Sequence, residues 1–229
     1  SFLVIVASGF FQSLVAIGQS LSQHSLGLKW LGESVLRTNF NGVAVVLTEG
    51  GKFLRAYGTA PHPNVLAAWL FLAVFACFAW YLYSNQNKRS NNFGVNQPNT
   101  HPKTPERGVE SRGWVVWLIY PTLLWGLFFT FSRVAIGLLF AGIVGRLLLV
   151  SLKKKKYNSV LIQDFKNKLW QLTVVTIAAV VIFGFFYWPQ VQSRLFISAQ
   201  EQAVTQRIFY AKTAGEMILS QPWLGVGPG

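Results

Sequence analysis

Three arginines placed beside apolar runs are the residues best suited to chemistry in this sequence: Arg55, Arg133 and Arg207. Arg55 precedes one apolar run, Arg133 separates two, and Arg207 lies in the C-terminal segment. An arginine guanidinium is always charged and can donate two parallel hydrogen bonds to phosphate oxygens. Three such groups at one membrane surface would bind a diphosphate whose lipid tail stays in the bilayer. For any one of them alone, an arginine that snorkels to the membrane surface is the simpler interpretation.

The histidines, glycines and acids indicate no other kind of site. His24, His62 and His101 lie in separate segments, and none has a second histidine or an acid at metal-ligand spacing. Residues 225–229 superficially resemble a phosphate loop, but no strand precedes them. None of the seven acids lies inside an apolar run, which argues against a proton-coupled pump. We therefore predict no metal and no cofactor, and the single Cys77 excludes a disulfide within the chain.

The composition indicates a protein whose solvent is largely lipid. Of the 229 residues 52% are hydrophobic and 12% are charged, whereas about 25% of the residues of soluble domains are charged. The net charge of +13 could suggest nucleic-acid binding. The basic residues, however, lie between the apolar runs, as the positive-inside rule expects of a membrane protein. We therefore predict that the chain binds no nucleic acid.

Five apolar runs predict five membrane spans, at about residues 1–21, 65–83, 114–131, 134–152 and 169–188. Each is close to the ~20 residues that cross ~30 Å of hydrocarbon. A single helix through the third and fourth runs would be about 60 Å long, so a break is expected near Ser132 and Arg133. The predicted fold is an all-α, polytopic transmembrane helix bundle over residues 1–189, with a cytoplasmic linker at 84–112.

The distribution of basic residues predicts the orientation. Eleven of them lie in the connections 84–112 and 153–168, against seven in the loop 22–64 and the tail 190–229. The denser side is cytoplasmic, so the turn at Arg133 and the tail face outward, and Arg146 snorkels inward. Residues 190–229 are interpreted as the truncated start of a large periplasmic loop. About residues 199–219 predict an outward amphipathic helix that lies on the membrane, packs on the bundle, or does both.

Three motifs resemble the O-antigen ligase family, whose shared domain also occurs in O-antigen polymerases and some protein O-oligosaccharyltransferases. The first is residues 55–59 (RAYGT) followed by 61–67 (PHPNVLA), and the second is residues 131–133 (FSR). The third begins at Gln206 and Arg207 and ends in residues 222–229 (PWLGVGPG). Only the third is fairly specific, and the order of all three strengthens it. Phe209 and Tyr210 stand where the family often has Leu and Trp.

The resemblance implies metal-independent transfer of a glycan from undecaprenyl diphosphate to a hydroxyl acceptor at the periplasmic face of the bacterial inner membrane. It implies that Arg55, Arg133 and Arg207 bind the diphosphate. The general base of the family is a histidine, expected here beyond Gly229, so residues 1–229 alone are expected to be inactive and His62 is not assigned that role. The implied partners are a lipid-linked oligo- or polysaccharide and membrane lipids. Ligase and polymerase share these motifs, so the acceptor stays open.

Two other classes of function compete with this interpretation. A transporter or permease would also have several spans and a Gly/Pro-rich loop, but no run has the Gly/Pro-broken, polar-lined centre of a transport site. A non-catalytic membrane protein would tolerate Lys or Gln at the outward arginine positions.

Overall fold

A computed structural model describes residues 2–84, 113–152, 160–195, 202–222 and 225. The helices are α1 (Phe2–Ser22), α2 (Pro63–Ser84), α3 (Gly113–Phe129), α4 (Arg133–Leu152), α5 (Val160–Phe186), α6 (Trp188–Leu195) and α7 (Gln202–Ser220). A short 3-10 turn, Lys29–Leu31, and two strands, β1 (Val45–Thr48) and β2 (Gly51–Leu54), lie between α1 and α2. The predicted helical fold class is confirmed. The predicted linker falls, apart from Ser84, outside the described residues.

Among the described residues, three helical segments are long and apolar enough to cross a membrane: Phe2–Ser22, Pro63–Leu82 and Lys166–Phe186. Two shorter apolar segments, Val115–Phe129 and Arg133–Gly145, belong to α3 and α4. They correspond to the third and fourth predicted runs, and the chain leaves the helix between Phe129 and Arg133. The number of spans therefore stays a prediction.

Helices α1, α2 and α3 pack on one another and form the centre of the bundle. Small residues bring their backbones together, because Gly9 of α1 faces Ala73 of α2 and Gly126 of α3 faces Ser13 of α1. A Cβ added at Gly126 would lie 2.8 Å from the Cα atom of Ser13, which is too close for a real contact. Such small-residue contacts are how helices approach closely in lipid.

The segment between α1 and α2, called the outer segment after its predicted orientation, contains a β-hairpin that was not predicted, and the end of the bundle that carries it is called the outer end. β1 and β2 pair antiparallel, from Val45 opposite Leu54 to Thr48 opposite Gly51. Val46 is 1% exposed and its neighbour Leu47 is 65% exposed, which is the alternation of a half-buried strand. Gly51 lies where the hairpin turn enters β2 and has a φ of +120°. Residues other than glycine rarely adopt this backbone conformation. The buried side of this hairpin closes the outer end of the bundle.

One buried glutamine fixes this outer segment to α1. The Gln19 Oε1 atom accepts hydrogen bonds from the N–H groups of Tyr57 (3.0 Å) and Gly58 (2.8 Å). The Gln19 Nε2 atom donates to Glu33 Oε1 (2.7 Å) and to the Gly58 carbonyl (2.8 Å). Glu33 in turn accepts from the N–H groups of Leu26 and Leu28. All four hydrogen-bonding positions of the buried amide are therefore used.

The C-terminal helices differ in what they contact. α6 packs against β1, on the outer side of the bundle. α7 lies close to the predicted bounds, and its large apolar side chains are exposed, including Ile208 (63%), Ile218 (64%) and Leu219 (85%). In the part of the chain that the structure describes, this face does not pack on the bundle. Its position on the membrane surface stays a prediction.

Candidate functional site

The turn between α3 and α4 places Arg133 at the outer end of the bundle. Thr130 and Phe131 donate their N–H groups to the carbonyls of Leu127 (3.2 Å) and Phe128 (2.9 Å), which ends α3. Phe131 has a φ of +47°, and this left-handed residue reverses the chain direction. The Ser132 carbonyl then accepts from the Ile136 N–H (3.0 Å), so Arg133 becomes the first residue of α4.

Arg55 lies directly beneath this turn and holds it in place. Its Nε atom donates to the Thr130 carbonyl (2.7 Å), and one terminal nitrogen donates to Asn64 Oδ1 (2.8 Å). The next residue, Ala56, donates its N–H to the Phe129 carbonyl (2.9 Å). The end of a helix leaves its last carbonyls without helical partners and carries partial negative charge, so a cation there is stabilising. Arg55 is only 9% exposed.

Arg133 is exposed and lies at the rim of a groove of about 950 Å³. Helices α4 and α5 form its two walls, and residues of α6 and of the α3–α4 turn complete its lining. Apart from Arg133 and Arg194, every lining residue is apolar or glycine: Phe128, Phe131, Ile136, Gly137, Phe140, Val180, Val181, Phe183, Gly184, Phe185, Trp188, Val191 and Leu195. An apolar groove with two cations suits a molecule with a hydrocarbon part and an anionic part.

An aromatic cluster supports the groove from below. Phe183 of α5 lies 5.3 Å from Phe128 and 5.8 Å from Phe131, measured between ring centroids. Tyr187 stacks on Phe183 at 4.9 Å and meets Phe53 of the hairpin at 6.0 Å. Most of these pairs are tilted or edge-to-face, which is the favoured geometry of aromatic pairs. The cluster joins α3, α5 and the hairpin into one support for the α3–α4 turn.

The second arginine of the groove, Arg194, was not among the predicted site residues. It belongs to the last turn of α6, and one of its terminal nitrogens donates to the Val45 carbonyl (3.1 Å). That carbonyl lies in β1, the strand against which α6 packs. The sequence does show an arginine shortly after an apolar run. Its placement at the groove depends on the hairpin and on α6, neither of which was predicted.

The three predicted phosphate-binding residues are placed differently by the structure. Arg55 and Arg133 meet at the α3–α4 turn, one buried beneath it and one exposed at its end. Arg207 lies in α7, but its side chain and the connection 196–201 fall outside the described residues. The structure therefore brings two of the three together and does not locate the third.

His62 lies close to this site without an obvious catalytic role. Burial lowers its pKa, and the positive charge of Arg55 lowers it further, so the ring is neutral near pH 7. Its Nδ1 atom accepts the N–H of Asn64 (3.1 Å) at the start of α2. Among the described residues, no three His, Cys, Asp or Glu side chains are grouped so that they could bind a metal ion.

Comparison with known proteins assigns a family to the C-terminal half of the chain. Residues 118–229 match the O-antigen ligase family. No curated protein and no solved structure matches the chain. The matched segment contains the α3–α4 turn, the walls of the groove and α7, whereas Arg55 precedes it. The chain therefore carries an O-antigen ligase domain over residues 118–229, where the second and third motifs of the sequence indicated one.

Proposed function

We propose that this protein transfers a glycan from undecaprenyl diphosphate to a hydroxyl acceptor at the periplasmic face of the bacterial inner membrane. The observation that carries the proposal is the position of Arg133. It lies inside the matched family segment and at the rim of an apolar groove between two apolar helices. A lipid diphosphate needs this combination of a cation and a hydrocarbon surface.

The reaction is a displacement at the anomeric carbon of the lipid-linked glycan. The acceptor hydroxyl oxygen forms a new bond to that carbon, the bond from the carbon to the diphosphate oxygen breaks, and the diphosphate leaves with the bonding electrons. Fixed positive charge stabilises the negative charge that develops on the leaving group. Arginine stays protonated, so the acceptor proton must go to another group. The histidine expected beyond Gly229 would accept it.

Each of the three arginines has its own place in this proposal. Arg133 meets the diphosphate at the surface. Arg55 adds its charge from beneath the turn while its Nε atom keeps the Thr130 carbonyl, and therefore Arg133, in position. Arg207 approaches from α7. The proposed partners are the lipid-linked oligo- or polysaccharide and the surrounding membrane lipids. The acceptor is a glycan or a lipid, and both the ligase and the polymerase reaction stay open.

Substitution of Arg133 in the full-length protein tests the proposal. Arg133→Ala should lower transfer from a lipid-linked glycan in proteoliposomes by at least about 100-fold, because a preorganised charge on the leaving group is lost. Arg133→Lys should retain part of the activity, since the charge remains and the bidentate geometry does not. Arg37→Ala, an exposed arginine of the outer loop that packs on Phe40, serves as the control. Full transfer by Arg133→Ala would refute the proposal.

A further inference from the structure

We infer that Arg194 is a second phosphate-binding residue, and that Gly137 and Gly184 keep the groove wide enough for the hydrocarbon chain of the same lipid diphosphate. This inference rests on the proposed function and deepens it. It assigns a site to residues of α4, α5 and α6 that neither the sequence motifs nor the family match single out.

Arg194 lines the same groove as Arg133, although the two arginines lie on different helices. One terminal nitrogen is bound to the Val45 carbonyl, so the side chain is oriented before any ligand binds. Two cations that line one otherwise apolar surface can each donate a charge-assisted hydrogen bond to one phosphate group of a diphosphate.

Both walls of the groove contain a glycine. A Cβ atom added at Gly137 or at Gly184 would meet no atom within 4 Å, so no close helix packing requires glycine there. Glycine lowers the stability of a helix relative to alanine, so helix stability does not explain these residues either. Their physical effect is to leave width between α4 and α5.

The groove opens between exposed apolar side chains. Phe140 of α4 and Val181 and Phe185 of α5 line it and are exposed by 40%, 63% and 81%. Val181 and Phe185 belong to the candidate span Lys166–Phe186, and Phe140 belongs to the shorter apolar segment Arg133–Gly145. The groove therefore faces the hydrocarbon region, and its occupant is a lipid chain that enters sideways. The arginines select a lipid with a doubly charged phosphate head.

Filling the groove tests the role of the glycines. Gly137→Leu and Gly184→Leu place a side chain at the walls of the groove, at positions where an added Cβ atom meets no other atom within 4 Å. Gly145→Leu is the matched control, because it lies on α4, meets no atom within 4 Å and does not line the groove. In the full-length protein, both groove variants should weaken binding of a long-chain polyprenyl diphosphate by about tenfold or more, since several CH₂ contacts are lost. Binding of inorganic diphosphate should be unchanged.

Substitution of Arg194 tests the phosphate contact separately. Arg194→Gln removes the charge and, because its side chain is shorter, also the hydrogen bond to the Val45 carbonyl, so the protein should melt about 2–4 °C below the wild type. Its affinities for polyprenyl diphosphate and for inorganic diphosphate should both fall, by about tenfold, as expected for one charge-assisted hydrogen bond. Arg194→Lys should recover part of both affinities.

The outcomes separate this inference from the proposed function. If Arg133→Ala abolishes transfer while the two leucine variants and Arg194→Gln bind polyprenyl diphosphate like the wild type, only the inference fails. If Arg133→Ala also retains full transfer, the proposed function fails with it. Equal affinity of the wild-type groove for phosphatidylglycerol would show that it binds phosphate-headed lipids without selecting a diphosphate, and would overturn the assignment of the ligand.

Discussion

At the scale of single residues, the outer end of the bundle depends on side chains that satisfy backbone groups. Gln19 forms hydrogen bonds with two N–H groups, one carbonyl and one carboxylate. Arg55 donates a hydrogen bond to the Thr130 carbonyl at the end of α3. These polar side chains are buried, and leaving a buried hydrogen-bonding group without a partner costs more than a made bond gains. Substitution of these side chains should therefore lower the free energy of unfolding, in addition to any effect on glycan transfer.

Replacing Gln19 by leucine should destabilise the protein strongly. Gln19→Leu removes the partner of the Tyr57 and Gly58 N–H groups and of the Gly58 carbonyl, and it removes one of the hydrogen bonds to Glu33. This loss should cost about 2–4 kcal/mol. Thermal unfolding in detergent measures the loss. Gln192→Leu is the control at an exposed position and should change the stability by about 0.5 kcal/mol or less. Equal melting temperatures for the two variants would contradict this role of Gln19.

Glu33 should make the stability of the outer segment depend on pH. This carboxyl is 5% exposed, and burial alone would raise its pKa. Hydrogen bonds from Gln19, Leu26 and Leu28 outweigh the effect of burial and hold the pKa below its ordinary value of 4.5. A lowered pKa in the folded state stabilises the protein above pH 4.5, and this stabilisation is lost as the pH falls through the folded-state pKa. Melting temperatures between pH 7 and acid pH should show the loss.

The control for this pH dependence is Glu33→Gln, which cannot titrate. It should melt lower than the wild type at pH 7, because its amide cannot accept both backbone N–H groups, and the difference should shrink toward acid pH. A wild-type curve parallel to that of Glu33→Gln would show that other carboxyl groups cause the acid sensitivity.

At the scale of the elements, the sequence predicted the long apolar helices but not the β-hairpin or α6. The runs at 1–21 and 65–83 correspond to α1 and α2, because only helices satisfy their own backbone groups in lipid. The hairpin and α6 are short, and both are stabilised by packing on other elements rather than by propensity. Arg55 directly follows β2, and Arg194 of α6 binds β1, so the placement of both residues depends on elements that the sequence did not predict.

The contact between α1 and α3 should tolerate no side chain at Gly126. Gly126→Ala would place its Cβ atom 2.8 Å from the Ser13 backbone and force the helices apart, which should cost about 1–3 kcal/mol. Gly145→Ala adds the same atom where nothing lies within 4 Å, so it should be neutral or stabilising by up to about 1 kcal/mol. Unfolding of both variants in the same detergent provides the comparison, and an unaffected Gly126→Ala would disprove the close packing.

At the scale of the whole molecule, the orientation in the membrane decides whether the groove serves periplasmic chemistry. Cys77 is the single cysteine and is 0% exposed, so the wild type should not react with a membrane-impermeant maleimide. Asn41→Cys, in the outer segment, should react in intact spheroplasts. Asn99→Cys, in the linker, should react only after the membrane is opened. The reverse pattern would place the groove on the cytoplasmic side and refute the proposed localisation.

The hairpin also holds two of the cationic residues. The Ala44 carbonyl accepts the backbone N–H of Arg55, and the adjacent Val45 carbonyl, on the edge of β1 that does not face β2, accepts from the side chain of Arg194. Two neighbouring peptide units of the hairpin thus bind a residue of the loop and a residue of α6. The hairpin tip at Glu49 and Gly50 lies at the far end of both strands. Loops of different length can therefore be grafted at the tip while both of these contacts stay in place.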